Sequence, residues 1–489
     1  MVNTADYIAP FCIAGNLYFV GTHPASAHLI DTGEGLILID TGYEHTAPVI
    51  VESMAKLGFD IADVKLILHS HGHYDHTDGT QHLLPLCHAK TYLAREDLRY
   101  IRGFEPDEYF YDGQVIRLGN TEILCLHTPG HTAGTYSFFW DVITERGAVR
   151  AGTFGGAGYN QLKKPYLDAR GLSYHNRADY LASIERLRGV HVELFIGNHA
   201  WHNKTRENAE ILRETGENRF IDDTRWLAFL NRCERKFMDM IHTESRTTFV
   251  NYAHRGASAY CPENTLLSFY TGLQMGANGI ETDVRATKDG VPVLFHDDTL
   301  ERVTGEAGGV SDYTWEELQA FLAKNGDTYD KIVRLEDFLR LFSFRDLTFA
   351  IELKGPGVAR DVAALLTQYD MQGKTVVTSF RLAYLKEFHE AATTFKLGYL
   401  TKDVSDACLA ELRELGIDEL CPKAVLIESA EQVDAWHRAG FRVRAWGVAN
   451  EELMRRAYDA GVDGMTVNFP DRLAAYIQEK NPVEDDANV

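Results

Sequence analysis

No C-x-x-C pair occurs among the seven cysteines, which are scattered at positions 12, 87, 125, 233, 261, 408 and 421. An odd, dispersed set excludes a disulfide frame and a thiolate zinc site, and points to buried thiols in a reducing compartment. Positive charge is also scarce: 49 Lys and Arg face 71 Asp and Glu, for a formal net charge of −22. Nucleic-acid affinity rests mainly on cations that neutralise phosphates, so this balance argues against that partner. A small anionic substrate stays compatible, because a bound metal inverts the local field. No apolar run approaches the ~18 residues of a membrane span. Met1–Phe11 lacks the basic stretch and apolar core of an export signal. Long Gly/Ser linkers, low-complexity segments and short-period repeats are missing as well. What is left is a chain of 489 residues, 45% apolar, expected to be cytoplasmic and long enough for more than one domain.

Two separate stretches concentrate histidine and carboxylate. One runs from His69 to His76, with outlying histidines as far as His202; the other runs from His254 to Glu352. Between them, Lys204–Ser245 is highly charged and carries Trp226, Phe229, Leu230, Cys233 and Phe237 at spacings of three or four, the stripe of an amphipathic helix. Asp222-Asp223-Thr224 supplies a start signal. The boundary is expected just after this helix, giving domains over 1–245 and 246–489 that abut. Asn481–Val489 reads as a disordered acidic tail.

In the first half, Val64–Leu68 fits a buried strand and delivers the chain into His69-Ser70-His71-Gly72-His73-Tyr74-Asp75-His76. Packing does not account for so many imidazoles beside a carboxylate; a solvated polar loop is the plain alternative. Imidazole and carboxylate are the donor set of catalytic zinc, and crowding them on one loop allows two metals to sit close together. The string H-x-H-x-D-H resembles the signature of the metallo-β-lactamase superfamily. Leu36–Gly42 resembles the family's strand ending in a structural Asp, here Asp40. Thr128-Pro129-Gly130-His131-Thr132 and Ile196-Gly197-Asn198-His199 resemble its later ligand motifs. Pro10–Thr22 and the amphipathic helix are similar to the B3-type branch. The resemblance spans roughly Asp6 to Glu244 and implies an αββα sandwich with two Zn2+ ions. His71, His73 and His131 would hold one, and Asp75, His76 and His199 the other, with Asp75 also counted as catalytic. Asp40 would orient a ligand rather than bind metal. Many superfamily members carry a bridging Asp where this chain reads Arg150-Ala151-Gly152-Thr153-Phe154-Gly155-Gly156. B3 lactamases also lack it, which favours that branch over a nuclease or glyoxalase and leaves the metal count open. His69, His127, His175 and His202 lie off the ligand pattern and read as supporting or surface residues, His202 being the strongest exception.

From Phe249 onward β-rich runs alternate with helical stretches: Phe249–Ala253, Gly279–Arg285, Val291–Phe295, Leu347–Leu353, Lys374–Thr378, Lys396–Leu400, Glu419–Pro422, Arg442–Val448 and Gly464–Val467. Roughly eight strands over this length predict a (β/α)8 TIM barrel, whose chemistry sits at the C-terminal strand ends. His254-Arg255-Gly256 and His296-Asp297 end two runs, and Pro262-Glu263-Asn264-Thr265 lies in the first loop. Glu281 and Asp283, two apart on one strand, face the same way and can share a hard cation; Glu352 and Lys354 repeat the arrangement. Three carboxylates at one mouth repel without a cation. Lys354 and Arg255 offer charge to a phosphate, and two histidines are available as acid and base. Ordinary outward-facing strand residues are the alternative. H-R-G, P-E-N-T, E-T-D-V-R-A-T-K-D-G, H-D and I-E-L-K, in this order, resemble the glycerophosphodiester phosphodiesterases from Phe249 to about Gln478. The resemblance implies Ca2+ or Mg2+ on Glu281, Asp283 and Glu352, with His254 and His296 as the acid/base pair. Arg255 and Lys354 would hold the phosphate, with Glu263 also at the substrate. In the family the glycerol 2-hydroxyl attacks phosphorus before water opens a cyclic phosphate. Asp298–Arg334 resembles the insertion that shapes the alcohol pocket; Trp446 lines that pocket or belongs to the core.

Together these expectations describe a two-domain α/β protein that is a bifunctional metallohydrolase of small molecules. The second half would cleave glycerophosphodiesters to glycerol phosphate and an alcohol, and the first an unknown lactam, lactone or ester. The other readings make the first half a non-catalytic metal-binding module, or the chain a nucleic-acid enzyme, which needs a basic surface.

Overall fold

The protein is described by a computed structural model over residues 6–145 and 147–481; the acidic end from residue 482 lies outside the described residues. The chain forms two compact units. One comprises residues up to Leu162 with Asn176–Asp239, the other Lys163–His175 with everything from Met240. The division falls inside the helix Asp223–Thr247, ahead of the expected Ser245. Lys163–His175 joins the second unit through partners far away in sequence. Lys164 N donates to Glu244 Oε1 at 2.7 Å, and Ser173 Oγ and Tyr174 N donate to Asp418 at 2.8 and 3.1 Å. Among the described residues no helix is long and apolar enough to cross a membrane.

In the first unit two sheets stack. Seven strands lie in sequence order: β1 (Phe11–Ala14), β2 (Leu17–Phe19), β3 (His28–Asp31), β4 (Leu36–Ile39), β5 (Val64–Leu68), β6 (Lys90–Leu93) and β7 (Glu108–Tyr109). The second sheet holds β8 (Gln114–Leu118), β9 (Thr121–His127), β10 (Tyr136–Thr144), β11 (Gly147–Thr153) and, on its edge, β12 (Leu194–Phe195). Side chains alternate faces along a strand, and β10 shows the consequence. Phe138 and Trp140 enter the core between the sheets with Ile37, Ile39 and Leu68, whereas Phe139 meets Trp226 at 6.0 Å. Trp226 opens the expected helical stripe, and Phe229, Leu230, Cys233 and Phe237 are buried along with it. Helices Ala47–Lys56 and Thr80–Cys87 cover the other face of the seven-stranded sheet through Ile50, Met54 and Leu83. This is the expected αββα order. β4 and β5 are parallel neighbours with Ile39 opposite Leu68, so Asp40 and His69 leave the sheet side by side.

In the second unit eight parallel strands close into a barrel. They are β13 (Val250–His254), β14 (Gly279–Ala286), β18 (Thr348–Leu353), β19 (Thr375–Ser379), β20 (Lys396–Thr401), β21 (Glu419–Pro422), β22 (Arg442–Ala445) and β23 (Gly464–Val467), with β13 paired to both β14 and β23. One of the nine β-rich runs is therefore not a stave. The core of Val291–Phe295 is β15 (Pro292–Leu294), which pairs antiparallel with β14. With the hairpin β16 (Leu322–Asn325) and β17 (Thr328–Lys331) it serves the insertion, whose separate small core includes Val293, Phe295, Leu300 and Leu318.

Ile280, Val284, Phe349 and Ile351 pack outward in the main core, which turns Glu281, Asp283 and Glu352 inward. Deeper in the barrel, Arg444 Nε lies 2.6 Å from Glu419 Oε1, and Arg444 Nη1 donates to Thr466 Oγ1 at 2.8 Å. Both charges are buried, so removing one strands the other. Arg444→Met is expected to cost about 3–5 kcal/mol in urea unfolding, with Arg444→Met/Glu419→Gln recovering most of the loss.

Candidate metal centres

The first centre gathers on loops that follow β5, β9 and β12. Nearly every imidazole in it is held by Nδ1, which leaves Nε2 bare. His131 Nδ1 donates to Gly158 O at 2.6 Å and His199 Nδ1 to Pro24 O at 2.6 Å. His76 Nδ1 is held by Asp40 Oδ2 at 2.8 Å, and His71 Nδ1 meets Ser70 Oγ at 3.1 Å. His73 is reversed: its Nε2 meets the Gln161 amide at 2.5 Å and its Nδ1 turns inward. His131 Nε2 thus lies 3.2 Å from His71 Nε2 and 3.0 Å from His73 Nδ1. Three nitrogens converging this closely is the spacing of donors around one tetrahedral zinc, about 3.3 Å apart for bonds of about 2.0–2.1 Å. Burial pushes His73 and His199 down to about 4 and His131 down to about 3, and it holds His71 well below the usual imidazole range. These rings therefore carry free lone pairs at neutral pH.

The second ligand set lies next to the first. His76 Nε2 is buried without a hydrogen-bond partner and lies 3.2 Å from Asp75 Oδ2, and His199 Nε2 lies 3.9 Å from the same oxygen. Burial drives His76 down, but Asp75 and Asp40 outweigh it and raise it to about 10. A position this attractive to a proton equally attracts a metal cation. The donors in both sets fit metal ions.

Asp40 is the strut of the arrangement. Its carboxylate also accepts from Ser70 N and Ser70 Oγ, each at 2.7 Å, and its backbone is left-handed at φ 58°. Asn tolerates that backbone but carries no charge to polarise His76. Asp40→Asn is expected to keep the fold and weaken metal retention about 10–100-fold, measured by competition with a chelator.

The carboxylate centre is a product of barrel register. His254 lies opposite Glu281, and Asp283 opposite Glu352. Donor oxygens of Glu281, Asp283 and Glu352 all lie within 4.8 Å of one another. Burial, then the neighbouring carboxylates, push Glu281 and Glu352 up; Arg255 and Lys354 overcome burial to hold Asp283 down. A shared cation relieves that repulsion, so the donor set fits one. Lys354 Nζ lies 2.7 Å from Glu352 Oε1 and 3.3 Å from Asp283 Oδ1, and Arg255 Nε lies 3.1 Å from Asp283 Oδ2. Arg255 has φ 54°, and a Cβ on Gly256 would lie 2.4 Å from the Ser268 carbonyl carbon. The H-R-G turn therefore needs its glycine.

His254 Nδ1 meets Asn468 Oδ1 at 2.5 Å, and His296 Nδ1 meets Asp297 Oδ1 at 2.6 Å. Each ring is anchored on one side. Glu263 pairs with Arg255 at 3.0 Å and Arg302 at 2.7 Å, which directs its carboxylate to aiming Arg255. Trp446 is half-buried. Its ring meets Phe380 edge-on at 4.9 Å, and Lys354 Nζ lies 5.6 Å over Phe380.

Several residues were passed over in the sequence. Asp97 accepts from Gly72 N at 2.7 Å, Gly134 N at 3.0 Å and Thr132 Oγ1 at 2.7 Å, tying the His71–His73 loop to the His131 loop. Gln161, Asn468 and Arg302 are similar: ordinary polar residues in unremarkable local sequence. Asn264 stood in a quoted motif without a role; its Nδ2 donates to Asp283 Oδ2 at 3.0 Å. Of the off-pattern histidines, His69 is buried between Tyr92 O and Thr80 Oγ1, and His127 Nε2 meets Ala133 O. His202 packs on His199 with ring centres 5.1 Å apart.

Fold and site together define a two-domain hydrolase. Residues 20–199 match the family model described as the Metallo-beta-lactamase superfamily, and residues 254–472 that of the Glycerophosphoryl diester phosphodiesterase family. A glycerophosphodiester phosphodiesterase of Bacillus altitudinis is 34% identical over 246 residues, covering 47% of this chain and 98% of its own. The uncharacterized protein YqiK of Bacillus subtilis (strain 168) is 32% identical over 242 residues, with 47% and 98% covered. The solved structure of native FEZ-1 metallo-beta-lactamase from Legionella gormanii is 28% identical with a TM-score of 0.46, covering 48% of this chain and 97% of that one. The chain belongs, through its second half, to the glycerophosphoryl diester phosphodiesterase family, and its first half is a metallo-β-lactamase superfamily domain.

Proposed function

We propose that the barrel hydrolyses glycerophosphodiesters to glycerol phosphate and an alcohol, and that the first unit is a di-zinc hydrolase of a lactam, lactone or ester. The observation that carries the first statement is the meeting of Glu281, Asp283 and Glu352 within 4.8 Å at a barrel mouth that also holds His254, Arg255 and Lys354. Glu281, Asp283 and Glu352 would hold a Ca2+ or Mg2+ ion, which would supply charge for the phosphoryl oxygens. Arg255 and Lys354 hold the phosphate, and Glu263 keeps Arg255 aimed. His254, pushed down to about 4 by burial and then by Arg255, is neutral at working pH. With its Nδ1–H given to Asn468, its Nε2 is free to accept a proton from the glycerol 2-hydroxyl as it attacks phosphorus and expels the alcohol. It then accepts one from the water that opens the resulting cyclic phosphate to glycerol phosphate. Burial lowers His296 while Asp283 and the Asp297 carboxylate on its Nδ1 oppose that shift, and the ring in its protonated form would supply the proton to the leaving alcohol. Phe380 and Trp446 offer an aromatic wall beside Lys354 for that alcohol.

In the first unit a zinc pair, when bound, would supply Lewis acidity and an activated water. His71, His73 and His131 would hold one ion, and Asp75, His76 and His199 the other. Stripping the full chain with EDTA is expected to lower glycerol phosphate release at least about 100-fold. Ca2+ or Mg2+ alone should restore it without zinc. Recovery only with zinc would overturn the assignment of the barrel ion.

A further inference from the structure

A cavity of about 550 Å3 lies in the first unit beside the imidazole cluster. Its walls come from residues 157–160, residues 201–204 and one face of the helix Asp223–Thr247. Two contacts tie it to the cluster. A Cβ on Gly158 would sit 3.3 Å from His131 Cε1, and the Trp201 ring stacks on His199 at 4.4 Å, 6° from parallel. The cavity therefore borders both ligand sets.

Its charge is one-sided. Lys204, Arg225, Arg232 and Lys236 line it, and no Asp or Glu does. Arg225 is paired with Asp222 at 3.1 Å. Among the described residues, no carboxylate lies within ion-pairing distance of Lys204, Arg232 or Lys236. Arg232 and Lys236 are one helical turn apart and share a face. Arg232 gives one N–H to His202 O at 3.1 Å and lies over the Phe229 ring. His202 Nδ1, buried without a hydrogen-bond partner, belongs to the same lining. In a chain of net charge −22, three cations without carboxylate partners around one concavity form a local field inversion, and such a field selects anions.

Resting on the reading of this unit as a metal-dependent hydrolase, we infer that its substrate is an amphipathic anion. Trp201 and Phe229 take the apolar body. Arg232 and Lys236 bind an anionic oxygen group by charge-assisted hydrogen bonds, which turns the rest of the molecule toward His131 and His199.

Two probes with one aromatic body separate charge from shape: 1-anilinonaphthalene-8-sulfonate and its uncharged parent N-phenyl-1-naphthylamine. Both are titrated by fluorescence into zinc-loaded full-length protein, with zinc content measured on the same samples. Arg232→Ala/Lys236→Ala is expected to weaken the sulfonate probe at least about tenfold and the neutral probe less than about twofold. Lys204→Ala/Lys236→Ala, which leaves the Arg232–His202 contact intact, should act in the same sense. Zinc bound with unchanged sulfonate affinity in both variants, or equal weakening of both probes, overturns the anion pocket. Failure of the wild-type chain to retain zinc strikes instead at the metal reading beneath it.

Discussion

Glu281→Gln is expected to lower release of glycerol phosphate from a glycerophosphodiester by at least about 10³-fold. The substitution keeps the shape of the side chain and removes one charge from the carboxylate trio. Without that charge a cation would be held by Asp283 and Glu352 alone, and Lys354 and Arg255 would compete more strongly for both. Losing the ion removes several kcal/mol of stabilisation for the phosphoryl charge, each 1.4 kcal/mol being about tenfold in rate. Folding should not suffer, because burial and its neighbours already push the Glu281 carboxyl up. An unchanged or higher melting temperature of the metal-stripped protein, with turnover lost in the metal-supplied protein, is the expected pair of results. Retained turnover would remove Glu281 from the site.

The second large effect is expected from His131→Ala. His131 Nε2 faces both His71 and His73, so removing it takes one corner from a three-nitrogen donor set. The protein is expected to lose at least one zinc per chain by mass spectrometry, together with any hydrolysis by the first unit. Phosphodiester turnover should remain within about twofold of the parent. Equal loss of both activities would show that the centres do not work independently.

The contrast between these two centres shows how unevenly a site can be read from sequence. His71, His73, Asp75 and His76 lie within six residues, on a loop and the helical turn Tyr74–Thr77 that follows it, so their convergence is local and legible. Glu281 and Asp283 are two apart on a strand, and strand alternation alone places them on one face. Asp97 is different. Arg95-Glu96-Asp97 looks like a solvated run, yet Asp97 is buried and clamps two ligand loops. Its burial follows from where the turn after Ala94 meets the His131 loop, which no local pattern records. The placement of Lys163–His175 and of Val291–Phe295 was not legible for a related reason. Both are locally consistent with several placements, and only long-range partners select one.

By itself the sequence determined two units of different architecture, the amphipathic helix in which their division falls, and most of the residues that converge in the two centres. The helix, the alternation of the second half, the His71–His76 cluster and the Glu281/Asp283 pair rest on spacing, which depends only on the geometry of helix and strand. His131, His199 and the sandwich of the first half rest on the resemblance to the metallo-β-lactamase superfamily. Tertiary structure alone decided which nitrogen of each imidazole faces inward, because that depends on Asp40, Gly158, Pro24 and Gln161 arriving from elsewhere. It also decided that Glu263 braces Arg255 and that a basic cavity opens beside the first centre of an acidic chain. A net charge is a sum over the whole chain, whereas a field is set by which few charges face one another across a wall.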